Sequence, residues 1–138
     1  MGRFSSFDIS ASGISAQRTR MDVIANNIAN ADTTRTADGG PYRRQRISFR
    51  SVYDQTLGNH APAGVQVAGI SQDTTDYRMV YDPAHPDADT AGYVKMPNVN
   101  VVEEMVDMIS ATRAYEANVT AMNATKSMIA AGIEIGKG

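Results

Sequence analysis

Hydrophobic positions keep a helical rhythm at both ends of this chain and lose it in the middle. Between Asn98 and Ile135, the residues Val101, Met105, Met108, Tyr115, Val119, Met122, Ile129 and Ile133 recur in alternating steps of three and four. Only Thr112 and Lys126 interrupt the series. That spacing predicts a seam on one long helix, the pattern of a coiled coil. At about 1.5 Å per residue the helix would run roughly 50 Å, longer than a small domain is wide. Asn100, with Glu103 three residues on, reads as its capping box, and Gly136 as its stop. A second row lies beside the first: Val102, Val106, Ile109, Ala117, Ala121, Ala124, Met128, Ala131 and Ile135. One partner helix cannot cover both rows. Either the two form one wide core face, or one row packs within the chain and the other against neighbouring subunits.

The first helix is expected over Ser5–Ala29. Ser5 and Asp8 form a capping box, and Phe7, Ala11, Ile14, Met21 and Ile28 follow at heptad-like spacing, with Ile24 and Ala25 between. Asn26, Asn27 and Asn30 crowd its end. Local chemistry explains Asn30 as a stop, because asparagine tolerates the conformation that closes helices. The same amides could instead bond to partners across an interface.

From Ala31 to Pro97 the period changes. Asp38-Gly39-Gly40-Pro41 is a turn. Tyr42 to Tyr53 alternates, with Ile47 and Phe49 on one face and Arg44, Arg46 and Arg50 on a basic outer face. Gly58 to Gly64 reads as a loop, Val65 to Ile70 as a second strand with a bulge at Gly69, Asp76 to Tyr81 as a third, and Gly92 to Met96 as a short fourth. The fold class is therefore α+β. Long N- and C-terminal helices (residues 1–30 and 98–138) pair as a coiled-coil-like unit around a small β-rich middle domain (31–97).

Composition narrows the function. With 138 residues and a net charge of −2, the chain has no electrostatic case for binding nucleic acid. It has no cysteine, so disulfides and thiolate metal sites are excluded. No apolar run is long enough for direct membrane insertion. The opening Met1-Gly-Arg-Phe-Ser-Ser lacks the apolar centre of a cleavable secretory signal, so departure from the cytoplasm would need another route.

Candidate chemistry is sparse. Asp82, His85, Asp87 and Asp89 could each ligate a hard cation, but two prolines and the tight spacing make the segment a surface turn. No metal or other cofactor is expected there. His60 and His85 both fall in loops, and no nucleophile-elbow, zincin or phosphate-cradling motif is present. Glu103, Glu104 and Asp107 suit the start of the long helix through its dipole. No enzyme activity is expected; a hydrolase built on His85 and Asp87 and a soluble coiled-coil adaptor stand as alternatives.

Two long stretches carry a resemblance. Ser12 to Arg35 (SGISAQRTRMDVIANNIANADTTR) resembles the N-terminal signature of flagellar basal-body rod proteins, and Asn98 to Asn118 (NVNVVEEMVDMISATRAYEAN) resembles their C-terminal signature. Pro41-Tyr-Arg-Arg, Val80-Tyr-Asp-Pro and Gly92-Tyr-Val, with the later Pro97-Asn-Val, are similar to the proximal-rod member of that family. Asp32 stands where many relatives have a small or uncharged residue. The resemblance implies a structural subunit of the rod that crosses the cell envelope and serves motility. It also implies export through the flagellar type III apparatus without a cleaved signal, and assembly with other rod proteins and copies of itself. The implied subunit interface maps to Ile14, Met21, Asn26, Asn27, Ile28, Asn30, Met105, Met108, Tyr115, Ala117, Asn118, Ala121, Met122 and Ala124.

Overall fold

The structure, a computed structural model, describes residues 2–54 and 61–138, with side chains from residue 6 onward. Its elements run α1 (Gly2–Ala29), β1 (Gln45–Asp54), β2 (Ala61–Gln72), β3 (Arg78–Tyr81), β4 (Tyr93–Met96) and α2 (Val101–Lys137). The α+β plan expected from the sequence is present.

The helices pack antiparallel. Asn27 meets Glu104, Met21 meets Thr112 and Gly13 meets Asn118, so numbers rise on one helix as they fall on the other. α2 starts at Asn100, whose Oδ1 accepts from the Val102 N–H at 3.1 Å. The reciprocal half of the capping box is absent among the described residues; Glu103 is exposed. α2 also runs past Gly136, because nothing there requires a positive φ, and ends at Gly138. α1 begins three residues before the expected Ser5, whose side chain, with its capping box, lies outside the described residues.

β1 and β2 form one antiparallel pair, with Gln45 opposite Gln72 and Asp54 opposite Ala61. The expected strand over Val65–Ile70 is longer at both ends. Ala61 to Gly64, read above as loop, continues it, and the rest of that loop with His60 lies outside the described residues. The register shifts between Ser48 and Phe49 and between Val52 and Tyr53. Ala68 and Ala63 are the unmatched residues, so the bulge sits beside Gly69 rather than at it. β3 and β4 form a second antiparallel pair, closed by an edge-on Tyr81–Tyr93 contact with centroids 5.2 Å apart. Gly92 is required there: its φ is +85°, and an added Cβ would lie 2.9 Å from the Tyr81 ring.

β2 docks on α1 through Ser12, whose Oγ donates to the Ile9 carbonyl at 2.7 Å and accepts from the Val65 N–H at 3.1 Å. The apolar core is thin and made of alanine and β-branched residues, Ala16, Val23, Ile24, Ala31, Val94, Val99 and Ala111. Among the described residues, no helix is long and apolar enough to cross a membrane.

Candidate assembly surface and its buried polar hub

The face that α2 turns to its own chain is not the seam read from the sequence. Its covered positions are Glu104, Met108, Ala111, Tyr115, Asn118, Met122, Thr125, Ile129 and Gly132, again in steps of four and three, with Asp107, Thr112, Ala114 and Val119 half-covered beside them. The two seams share Met108, Tyr115, Met122 and Ile129. The other covered positions are polar or small, and they displace Val101, Met105 and Ile133, which lie exposed. α1 answers in kind, burying Ser10, Gly13, Ala16, Val23, Ile24 and Asn27. Close approach explains the choice. A Cβ on Gly13 would lie 2.7–2.9 Å from the Asn118 amide, so the bare backbone of α1 makes the seat for that side chain.

Glu104 sets the rotation. It is 1% exposed, so the helix dipole is not its only partner at the start of α2. Its carboxylate accepts from Arg44 Nε and from Asn27 Nδ2, the latter at 3.1 Å. Arg44, expected on the basic outer face, turns inward instead because Glu104 and Asp73 await it; Asp73 Oδ2 lies 3.2 Å from Nη1. Partial burial alone would lower the Arg44 guanidinium, but the hydrogen bonds and charges of Glu104 and Asp73 outweigh it and hold the group above its ordinary value. Asp73 is held below the usual carboxylate range, first by the Thr75 backbone N–H and then, against burial, by Arg44. Tyr42 is pushed up by burial and by the Glu104 charge.

Asn27 is the other half of the hub. Its Oδ1 accepts from Tyr42 OH and from the Gln45 N–H, both at 2.9 Å, and its Nδ2 donates to the Gln45 carbonyl and to Glu104. The amide therefore pairs with the backbone of β1 as a strand would, and has no hydrogen-bonding capacity left. Asn27 thus works within the chain and leaves the set of interface candidates. Asn30 caps α1: its Nδ2 donates to the Asn26 carbonyl at 2.9 Å, and Thr33 donates back to its Oδ1. Asn26 donates weakly to Tyr42 OH and Gln45 Oε1, each at 3.3 Å, and stays exposed. Asn98 completes the hub from the far side, accepting from the Arg44 N–H at 2.8 Å and donating to Thr75. Arg44, Tyr42, Asp73 and Asn98 were not read from the sequence as a cluster. Each is one polar residue among many there, and only the fold brings them together.

The second row is open along its whole length. Val102, Val106, Ile109, Ala117, Ala121, Ala124, Met128, Ala131 and Ile135 are all exposed, the bulky ones from 61% to 82%. Met105 lies open beside them, whereas Ile14, Met21, Ile28, Met108, Tyr115, Asn118 and Met122 are half-covered by the helix pair and its packing.

The Asp82–Asp89 segment is a self-bonded turn. Asp82 accepts from the Ala84 and His85 N–H groups, and Asp89 Oδ1 accepts from the Ala91 and Tyr93 N–H groups. The Asp87 carboxylate takes Thr34 Oγ1 at 2.7 Å and Arg35, and these two bonds lower it, Thr34 first. His85 Nδ1 meets the Asp87 backbone N–H and not that carboxylate. The acid–base pair that a hydrolase would need is thus not made.

Comparison with known proteins follows the same division of the chain. Residues 7–35 match the family described as flagella basal body rod protein, and residues 90–135 match the C-terminal family of flagellar basal body rod FlgEFG proteins. The flagellar basal-body rod protein FlgC of Borreliella burgdorferi is 51% identical, with all of both chains covered. Its namesake in Bacillus subtilis is 47% identical over 99% of this chain and 100% of its own. That of Salmonella typhimurium is 44% identical over 95% of this chain and 96% of its own.

Proposed function

The chain belongs to the flagellar basal-body rod protein family, and from that membership we propose how it works. It is a structural subunit of the proximal rod in the bacterial flagellar basal body, and not an enzyme. It stands among other rod components at that place. Its route there is the flagellar type III export apparatus, and it joins copies of itself and its neighbours through the terminal helices.

The observation that carries the assembly reading is the open apolar row on α2. A monomeric protein has no reason to keep Val102, Val106, Ile109, Met128 and Ile135 in water while burying Glu104 and Asn27. The buried hub fixes the rotation of α2, and that rotation presents the row. The interface candidates on α2 are Met105, Ala117, Ala121 and Ala124 on the open side, with Met108, Tyr115, Asn118 and Met122 half-covered on the inward seam; those on α1 are Ile14, Met21, Asn26, Ile28 and Asn30.

Deleting the gene should abolish motility and stop the rod at an early stage; restoring the parent chain should rescue both. Restoring Ala121→Leu should give an exported, folded chain that builds no rod. Overpacking a tight contact costs on the order of 1–3 kcal/mol per site, repeated at each identical contact. Normal swimming with Ala121→Leu would show that the row is not a close subunit contact. An unfolded isolated variant would assign it to the chain's own core.

A further inference from the structure

The described methionines divide by where their sulfur sits. Met128 is 72% exposed, Met105 55% and Met79 49%, whereas Met21, Met96, Met108 and Met122 are half-covered. Met128 lies on the open row of α2 and Met105 beside that row; Met79 lies apart, on β3. We propose that Met105 and Met128 are oxidation sites of the unassembled chain. A peroxide converts them to methionine sulfoxide, and the sulfoxides bar the subunit from the rod until they are reduced. The consequence for assembly rests on the rod-subunit reading above.

Exposure selects the sulfurs, because the step needs direct contact. A sulfur lone pair attacks one oxygen of hydrogen peroxide and the O–O bond breaks. That oxygen stays on sulfur, and the other leaves as water with both hydrogens. Sulfur loses two electrons and the peroxide gains them. Met105 and Met128 stand open to solvent, whereas Met108 and Met122 belong to the inward seam. Met21 is further occupied: its Sδ accepts from Thr112 Oγ1 at 3.7 Å. The row then makes the product matter. A sulfoxide replaces a flexible apolar side chain with a polar one whose oxygen accepts hydrogen bonds. In water that oxygen is solvated, so the free chain keeps its fold. Under a neighbouring subunit it needs a donor, and burying it without one is costly. Its own helix supplies none. One turn from Met105 stand Val101, Val102, Met108 and Ile109. One turn from Met128 stand Ala124, Thr125, Ala131 and Gly132, and the Thr125 hydroxyl already donates to the Ala121 carbonyl at 3.0 Å. Met79, open to peroxide but off the row, is the internal control.

The chain has no cysteine, so methionine carries all its sulfur oxidation. The purified full chain should be treated with hydrogen peroxide and mapped by peptide mass over time. Met128, Met105 and Met79 should gain an oxygen severalfold faster than Met21, Met96, Met108 and Met122, with helical circular dichroism unchanged. Equal rates across the set, or loss of helix as the two sites oxidise, would overturn the proposal. Methionine sulfoxide reductases should then return the oxidised chain to its parent mass. In cells, a peroxide pulse should be given before or after rods are built, and basal bodies isolated. Chains built in after the pulse should carry the Met79 sulfoxide as often as the unassembled pool does, but be depleted of sulfoxide at Met105 and Met128. Rods complete before the pulse should keep both sulfurs reduced. Met105→Leu with Met128→Leu keeps the apolar bulk and should build rods at a peroxide dose that stops the parent. Rods that take up chains oxidised at the two sites as readily as reduced ones would overturn the proposal, and so would a double variant as sensitive as the parent. Finished rods that oxidise there at the rate of the free chain would overturn it too. Each of these leaves the rod reading intact; normal motility after gene deletion would remove the rod reading itself.

Discussion

Truncating Glu104 should loosen the whole subunit although it removes a single carboxylate. In Glu104→Ala, Arg44 loses its closest anion but keeps Asp73 at 3.2 Å and lies near Asp107 at 3.8 Å. Its side chain is also 23% exposed, so water can reach the orphaned charge. Removing one member of a buried ion pair costs about 3–5 kcal/mol in general, and these compensations put Glu104→Ala near the lower end. Arg44→Ala should cost more. It strands a carboxylate that is 1% exposed and has only the Asn27 amide left. The double variant leaves neither charge stranded, so its cost should fall short of the sum of the singles by about 1–3 kcal/mol, the usual range for residues in one network. Urea unfolding of the full chain, followed by helical circular dichroism, gives all three values. Because the pair is buried, the coupling should change little on adding salt. Strictly additive singles, or single costs below about 1 kcal/mol, would show that the hub does not hold α2 in place.

Other expectations follow from particular contacts. Gly13→Ala would normally stabilise a helix interior by about 1 kcal/mol, but its Cβ would meet the Asn118 amide. Thermal melts should show a loss in the parent and a gain in an Asn118→Ala background; a gain in both would mean that the seat is loose. Asp73 and Asp87 have lowered folded-state pKa values, so their stabilisation is present above the ordinary carboxylate value of about 3.9 and lost as pH falls through the depressed values. Tyr42 is raised, so its contribution is complete below about pH 10 and lost as pH rises further. Stability should thus be level between those limits, with Asp87→Asn softening the acid limb and Tyr42→Phe the alkaline one; a decline centred near neutrality would contradict both assignments. Calorimetric titration with calcium, magnesium or zinc should show no tight binding at Asp82–Asp89, and a micromolar affinity lost on changing Asp87 and Asp89 to alanine would reverse that reading.

The helices, their pairing and the β-rich middle were legible because periodicity alone specifies them. Which face of α2 turned inward was not. The apolar heptad through Met105 and the mixed heptad through Glu104 are equally regular, and a rule that buries the greasier one picks the wrong seam. That rule assumes a chain that works alone. Here the most apolar positions point away from the chain's own partner helix, and the inward seam is chosen by Gly13, Asn27 and Arg44, which lie far away in sequence. Asn27 shows the limit most sharply. Its neighbours Asn26 and Asn30 are of the same type, and only the arrival of the Gln45 backbone separates a strand-end clip from an exposed amide. Arg44 misled for a related reason: it sits one residue before β1, where the strand's alternation no longer governs which way a side chain turns.

The antiparallel pairing of α1 with α2 brings both ends of the chain to the same pole of the molecule. The Thr36–Gly40 turn, held by the Gly39 and Gly40 backbone bonds, belongs to the opposite pole, where α1 ends and α2 begins. A reporter fused to either terminus would therefore crowd one helical pole, beside the exposed last turns of α2. Swapping it from one terminus to the other would bring little relief. An exposed position in that turn, such as Ala37 or Asp38, offers a label a site away from both helix ends.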